Sequence, residues 1–190
     1  MIKASGNSAK QSVAERRTQV AKEFMNLIVF EPATPSTIEQ AAHQCGFSGQ
    51  YSKILFPGGV LELVRLVIDI SIEKVIETYP SHELANLKVR ERIFTLVQAH
   101  LQLLHPQRRA WQKLSAIPAL THICESSKTL WHIADTMWYH AGDNSADFNH
   151  YTKRLLLSKV YLSTFRFWLN DESEDNESTW KYLSEQIEGV

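Results

Sequence analysis

The sequence predicts an all-α protein, a helix-turn-helix three-helix unit followed by a helical bundle with an apolar pocket. Three observations predict it. The 190 residues are 44% apolar with only seven Gly and six Pro, too little punctuation for a many-turned β sandwich and enough apolar material for a core. Apolar residues recur at helical spacing along most of the chain, with no alternating strand pattern and no internal repeat. Finally, Gly and Pro fall between the periodic stretches, where helices should stop. The expected division is an N-terminal unit of residues 1–58 and a helical domain of residues 59–190.

Residues 8 to 29 read as a first helix, closed by Pro32 and Pro35. Ser36 or Thr37 caps a short helix over Ile38 to Gln44, which Gly46 ends by supplying a residue free to take φ > 0. Ser48 opens a third short helix to Leu55, completing the helix-turn-helix pattern. From Gly59 to Thr78 apolar residues are too frequent for one stripe, so this helix should be covered on several sides. A long helix is expected from Pro80-Ser81 to Leu104, stopped by His105-Pro106, with a short one from Arg108 to Leu114 and another starting at Pro118. Leu130, Ile133, Ala134, Met137, Trp138 and Ala141 lie on one amphipathic face that Gly142 terminates. The last large helix, Asp147 to Leu169, shows two apolar stripes: Tyr151, Leu155, Leu162, Phe165 and Leu169, and separately Leu156, Val160 and Phe167. Asp171 to Glu177 reads as an acidic, solvated loop before a closing helix, Thr179 to Glu188, with Trp180, Leu183 and Ile187 facing in.

Composition excludes several classes of function. Twenty basic against 21 acidic residues leave a net charge of −1, which argues against a protein devoted to phosphate backbones. Cys45 and Cys124 are the only cysteines, so no disulfide scaffold or thiolate zinc site is available, and both read as buried structural thiols in a reducing compartment. No window reaches the apolar length of a spanning helix. The opening residues, Met1 to Asn7, are too polar for a signal peptide and too poor in Arg for a transit sequence, so a cytoplasmic, prokaryote-like location is expected. Among eight histidines, His122-x-x-Glu125, His132-x-x-Asp135 and Asp147-x-x-His150 do not build the paired Glu-x-x-His pattern of a di-iron bundle, so no metal is expected. Nucleophile elbows, phosphate loops and dinucleotide fingerprints are lacking, so no catalytic residue, cofactor or enzyme activity is expected.

Large rings gather in the final third: Trp131, Trp138, Tyr139, Tyr151, Tyr161, Phe165, Phe167, Trp168 and Trp180. They either fill a core or wall a pocket for an apolar ligand. Leu101, Leu130, Ile133, Leu156, Val160 and Phe167 are the candidate lipid-binding walls, some of which are plain packing.

Two resemblances follow from particular stretches. Ile38-Glu39-Gln40-Ala41-Ala42-His43-Gln44-Cys45-Gly46-Phe47-Ser48 through Phe56-Pro57 resembles the helix-turn-helix of the TetR repressors, which implies an all-α dimer with a C-terminal ligand pocket. The match departs where the repressors touch DNA, with Lys53, Ile54-Leu55 and Gly59 in place of the usual tyrosine, polar pair and lysine. Apolar Ile54 and Leu55 offer no hydrogen bond to phosphate or base, so DNA is not expected as the partner. The stretch from Asp135-Thr136-Met137-Trp138-Tyr139-His140-Ala141-Gly142 through Asp147-Phe148-Asn149-His150-Tyr151-Thr152-Lys153-Arg154 resembles the hallmark of the ninth coenzyme Q biosynthesis protein family. Leu55-Phe56-Pro57-Gly58-Gly59 with Leu63-Val64, and Thr179-Trp180 with Leu183, also agree, so the similarity covers residues 45 to 187.

That resemblance implies a TetR-like, homodimeric, non-enzymatic lipid-binding protein that assists ubiquinone biosynthesis. It would present a bound isoprenoid quinone intermediate to the demethoxyubiquinone hydroxylase. The family's patch for that partner falls on Met137, Trp138, Asn149, His150, Tyr151 and Arg154, with His150 standing where members often have tryptophan. Met137 and Trp138 also lie on the apolar face, so patch and core remain alternatives for them. Many members continue into an amphipathic helix that lies on the membrane, so peripheral contact with an inner membrane is a further expectation.

Overall fold

The computed structural model describes residues 11–117, 127–143 and 148–188, and the described elements are helical. The helix expected from Pro118, and Cys124, fall outside these residues. The chain divides into two compact units, Met1–Asp69 and Ile70–Val190, with the boundary inside one continuous helix.

In the first unit, α1 (Val13–Leu27) starts with a reciprocal cap: Ser12 Oγ accepts from the Glu15 amide and Glu15 accepts from the Ser12 amide at 2.7 Å. Its buried face is Val20, Ala21, Phe24 and Met25. α2 (Pro35–Gln44) begins earlier than Ser36 or Thr37 would cap it. Thr34 is the cap, and Pro35 takes the first helical position, where its missing N–H costs nothing. Gly46, at φ 82°, closes α2 with bonds from Gly46 N to His43 O and from Phe47 N to Ala42 O, both 2.9 Å, the two-bond pattern that needs a left-handed residue. α3 (Tyr51–Leu55) is shorter than expected because Ser48 to Gln50 form a turn. α4 (Gly59–Thr78) runs as expected. Cys45 is half-buried, and burial together with the Glu23 carboxylate pushes its thiol pKa up, which keeps it protonated and unreactive.

In the second unit the helix expected from Pro80 to Leu104 is two helices, α5 (Ser81–Leu84) and α6 (Val89–Leu104). Glu91 accepts from the Lys88 amide at 2.8 Å, starting α6 afresh. The Arg92 guanidinium donates to the Leu87 and Ala85 carbonyls that the break frees. After a 3₁₀ turn at His105–Gln107 come α7 (Arg108–Ser115), α8 (Ser127–His140), α9 (Phe148–Leu169) and α10 (Glu177–Glu188). Among the described residues no helix is long and apolar enough to cross a membrane.

α9 corrects the two-stripe reading. Its buried residues include Arg154, Leu157, Ser158, Tyr161, Thr164, Phe165 and Trp168, one face at helical spacing that mixes polar with apolar side chains. Tyr151 and Leu155 point outward instead. The rings of that face are largely core: Trp111 of α7 meets Phe165 edge-on at 6.1 Å, and Phe165 packs against Tyr161 and Trp168. The loop before α10 is also not simply solvated. Asp171 is buried; burial alone would raise its pKa, but bonds from the side chains and amides of Ser173 and Thr179 prevail and bring it down to about 2.

A buried polar relay ties three helices of this unit. His100 of α6 shares hydrogen bonds with Ser71 of α4 through Nε2 at 2.7 Å and with Tyr161 of α9 through Nδ1 at 2.9 Å. Full burial pushes the imidazole pKa down to about 3, so it stays neutral. The unfolded chain binds a proton at this histidine below pH about 6.5 while the folded chain does not until about 3, so acid favours unfolding across that window. Stability should therefore fall by about 1.4 kcal/mol per pH unit from this group below pH about 6. Urea unfolding across pH 4–8, with the His100 resonances followed by NMR, checks this; an imidazole titrating near pH 6 would contradict it.

Candidate functional site

The site is built on the hairpin of α8 and α9. α8 ends at a Gly142 whose φ of 91° only glycine adopts readily, with Gly142 N bonded to Tyr139 O and Asp143 N to Trp138 O, each 3.0 Å. The Arg92 guanidinium covers this turn, donating to the Ala141 carbonyl at 2.8 Å. Arg154, only 2% exposed, reaches from α9 to Asp135 on α8 through Nε and to Asp143 in the turn through Nη1 at 3.0 Å. Lys153 binds the same Asp143 at 2.7 Å, and its ammonium lies 5.5 Å from the Trp138 ring centre. The Trp138 indole N–H donates to the Lys153 carbonyl at 2.9 Å, so one turn of α9 is fastened to α8 by side chain and backbone together.

Beside this fastening lies a cavity of about 320 Å³. Val89, Arg90 and Ile93 of α6, Trp138 of α8, Leu156 and Val160 of α9 and Ile187 of α10 line it. Its walls are apolar apart from Arg90 and Lys153, which also lines it, and the exposed lining residues Val89 and Arg90 stand at its mouth. Such a shape holds a chain or ring that water rejects.

Of the expected lipid walls, Leu156 and Val160 line this cavity. Leu101, Leu130 and Ile133 are buried core residues outside its lining, and Phe167 is on the surface, stacked on Tyr182 at 4.7 Å. Val89, Arg90, Ile93 and Ile187 are lining residues that sequence reasoning missed, since nothing in the spacing of α6 or α10 marks one turn as facing a void.

The expected partner patch divides between inside and outside. Met137 and Arg154 are buried, and Trp138 is half-buried against the cavity. Asn149 and Tyr151 are exposed, and His150 lies half-buried with its ring 5.2 Å from Tyr151 and 6.5 Å from Trp131. Phe148, Tyr151 and Leu155, at 83%, 62% and 66% exposure, stand along one side of α9 as an apolar stripe. His122, Glu125 and Asp147 of the histidine–carboxylate pairs lie outside the described residues. Among those described, no three His, Cys, Asp or Glu side chains gather as metal ligands would.

Known proteins resemble this chain. The model of the family described as COQ9 matches residues 123–190. Residues 123–190 are thus similar to the COQ9 family. The human ubiquinone biosynthesis protein COQ9, mitochondrial, is 37% identical over 92 residues, 48% of this chain and 29% of the human protein. Its Xenopus laevis counterpart COQ9-B is 33% identical over 141 residues, 70% of this chain and 48% of the frog protein. The chain thus spans less than half the length of these two relatives. A solved structure, the TetR transcriptional regulator from Nitrosomonas europaea ATCC 19718, superposes with a TM-score of 0.72 over 92% of this chain and 97% of its own, at 20% identity. The fold is therefore TetR-like and all-α.

The COQ9 relatives correct one expectation. Those of human, cattle, Dictyostelium discoideum and fission yeast are named as mitochondrial, which overturns the cytoplasmic, prokaryote-like location. That expectation rested on the polar, Arg-poor opening residues Met1 to Asn7 together with the two unbridged cysteines, and the cysteines suit any reducing compartment.

The geometry separates the COQ9-like block into residues that hold the hairpin and residues that face out. Arg154→Ala should cost about 3 kcal/mol or more, because Asp143 and Asp135 lose a buried partner. Tyr151→Ala should cost less than about 1 kcal/mol. Urea denaturation of the two variants checks the order; equal losses would contradict it.

Proposed function

We propose that this chain is a non-enzymatic, lipid-binding accessory protein of ubiquinone biosynthesis. In this reading it holds an isoprenoid quinone intermediate, without other cofactor, and presents it to the demethoxyubiquinone hydroxylase. The observation that carries the reading is the apolar cavity, most of whose walls come from the COQ9-matched stretch. A polyprenyl chain stays in the bilayer because its transfer to water is unfavourable by about 25 cal/mol per Å² of apolar surface, and a dry protein cavity lowers that cost. At about 320 Å³ the cavity has room for a ring or the first isoprene units, with the rest of the chain leaving by the mouth at Val89. Extraction and orientation of such a ligand require no catalytic group.

The exposed stripe of Phe148, Tyr151 and Leu155, with Asn149 beside it, supports the hydroxylase as partner, since an apolar centre with polar flanks is the anatomy of a protein interface. A homodimer and a peripheral hold on the membrane belong to the same reading.

The TetR-like fold favours a ligand-responsive transcription regulator as the second reading. Against it, α3 is only five residues long, its Ile54 is 74% exposed, and its Lys53 ammonium lies 3.2 Å from the Glu39 carboxylate rather than free for phosphate.

Mass spectrometry of the organic extract of natively purified protein, against an unrelated helical protein, is expected to show near-stoichiometric isoprenoid lipid. Calorimetric titration with the hydroxylase is expected to weaken at least ~10-fold for Tyr151→Ala with Asn149→Ala, at unchanged helicity. An extract no richer than the control, or a sequence-selective, salt-dependent shift of DNA, would turn the reading toward the regulator.

A further inference from the structure

We infer that Arg90 makes the cavity selective for a single-chain amphiphile ending in one carboxylate. This rests on the lipid-binding reading above and names a ligand class beyond the neutral quinone.

Among the described residues two cations, Arg90 and Lys153, border the cavity, and of these Arg90 alone has its charge unbalanced. Lys153 is paired with Asp143 at 2.7 Å and is further occupied over the Trp138 ring. Arg90 lines the mouth, is exposed, and has no carboxylate or hydrogen-bond partner among the described residues. It is the second residue of α6, a helix of 16 residues whose N-terminal end carries positive potential. That potential is partly spent, since Glu91 holds the Lys88 amide.

The rest of the site fixes what such a charge can serve. Ile93, Leu156 and Val160 offer nothing to a polar group, so the body of the ligand is hydrocarbon. A cavity of about 320 Å³ sits at the small end of ligand sites and favours one chain over the two of a bilayer phospholipid. At the mouth, one guanidinium offers paired donors that fit a carboxylate in bidentate fashion. One positive charge balances one negative charge. A phosphate monoester brings nearly two near neutral pH, with Glu91 adjacent in sequence to oppose the second. Beside the neutral quinone, the cavity therefore also takes an amphiphile seated chain inward, with its carboxylate on Arg90.

The test is isothermal titration of the full chain, below micellar concentrations at pH 7, with dodecanoate and with dodecanol. The wild type is expected to bind dodecanoate at least ~10-fold more tightly, the range of a charge-assisted bond. Arg90→Gln is expected to erase that preference, and added salt is expected to shrink it in the wild type. Equal affinities in the wild type, or a preference that survives in Arg90→Gln, would overturn the inference and leave the lipid-binding reading standing. Failure to bind dodecanoate, dodecanol and farnesol alike would overturn both. A Leu156→Trp variant, which fills the cavity without touching Arg90, is expected to lose both ligands; retention would place the binding elsewhere and also overturn the inference.

Discussion

The site depends on one buried guanidinium. Arg154 enters the interior of the second unit from α9 and is met there by Asp135 of α8 and by Asp143 of the turn between the two helices. Taking such a charge out of water costs several kcal/mol, and the structure offsets this only if both carboxylates are in place with good geometry. The requirement reaches outward. Asp143 is positioned by the left-handed Gly142, which no residue with a Cβ replaces freely, since an added Cβ would also lie 3.2 Å from Arg92 Nη1. With the register of α8 against α9 set in this way, Trp138 and Lys153 meet, and the cavity acquires its wall.

This interaction also explains what could be read from the sequence and what could not. α4, α7, the apolar face of α8 and the turns at Gly46 and Gly142 were legible because their signals are local: periodicity, and a glycine where φ must be positive. The face of α9 was not. Arg154, Ser158 and Thr164 are buried there, with Ser158 donating to the Arg154 carbonyl at 2.7 Å, while Tyr151 and Leu155 are left in water. A reading that equates buried with apolar turns such a helix the wrong way. The same failure hid Asp171, whose partners Ser173 and Thr179 satisfy it only once the loop has closed.

Long-range pairings were illegible for a related reason. Nothing in the spacing of Ser71, His100 and Tyr161 announces that the three side chains meet, and a lone histidine on an apolar face carries no signal about its neighbours. The candidate lipid walls shared this limit. Leu156 and Val160 face the void while Leu101, Leu130 and Ile133 do not, yet all five look alike in sequence, because lining and core have the same composition and differ only in what lies opposite. Arg90 was the hardest to see. An exposed arginine in the first turn of a helix is ordinary, and it becomes distinctive only when the neighbouring cation is found to be neutralised and the neighbouring space to be apolar.

The division within the COQ9-like block bears on how function can be assigned to it. Arg154, Asp135 and Gly142 hold the hairpin, whereas Phe148, Tyr151 and Leu155 face solvent from the helix so held. Loss of partner binding on changing a holding residue therefore says nothing about contact, because the exposed stripe depends on the register that residue sets. Only a substitution that leaves stability intact can distinguish a touching residue from a holding one. The residues that meet this condition are on the outward face of α9, and Tyr151, in contact with the Trp131 and His150 rings yet open to solvent, is the one best placed to report a partner.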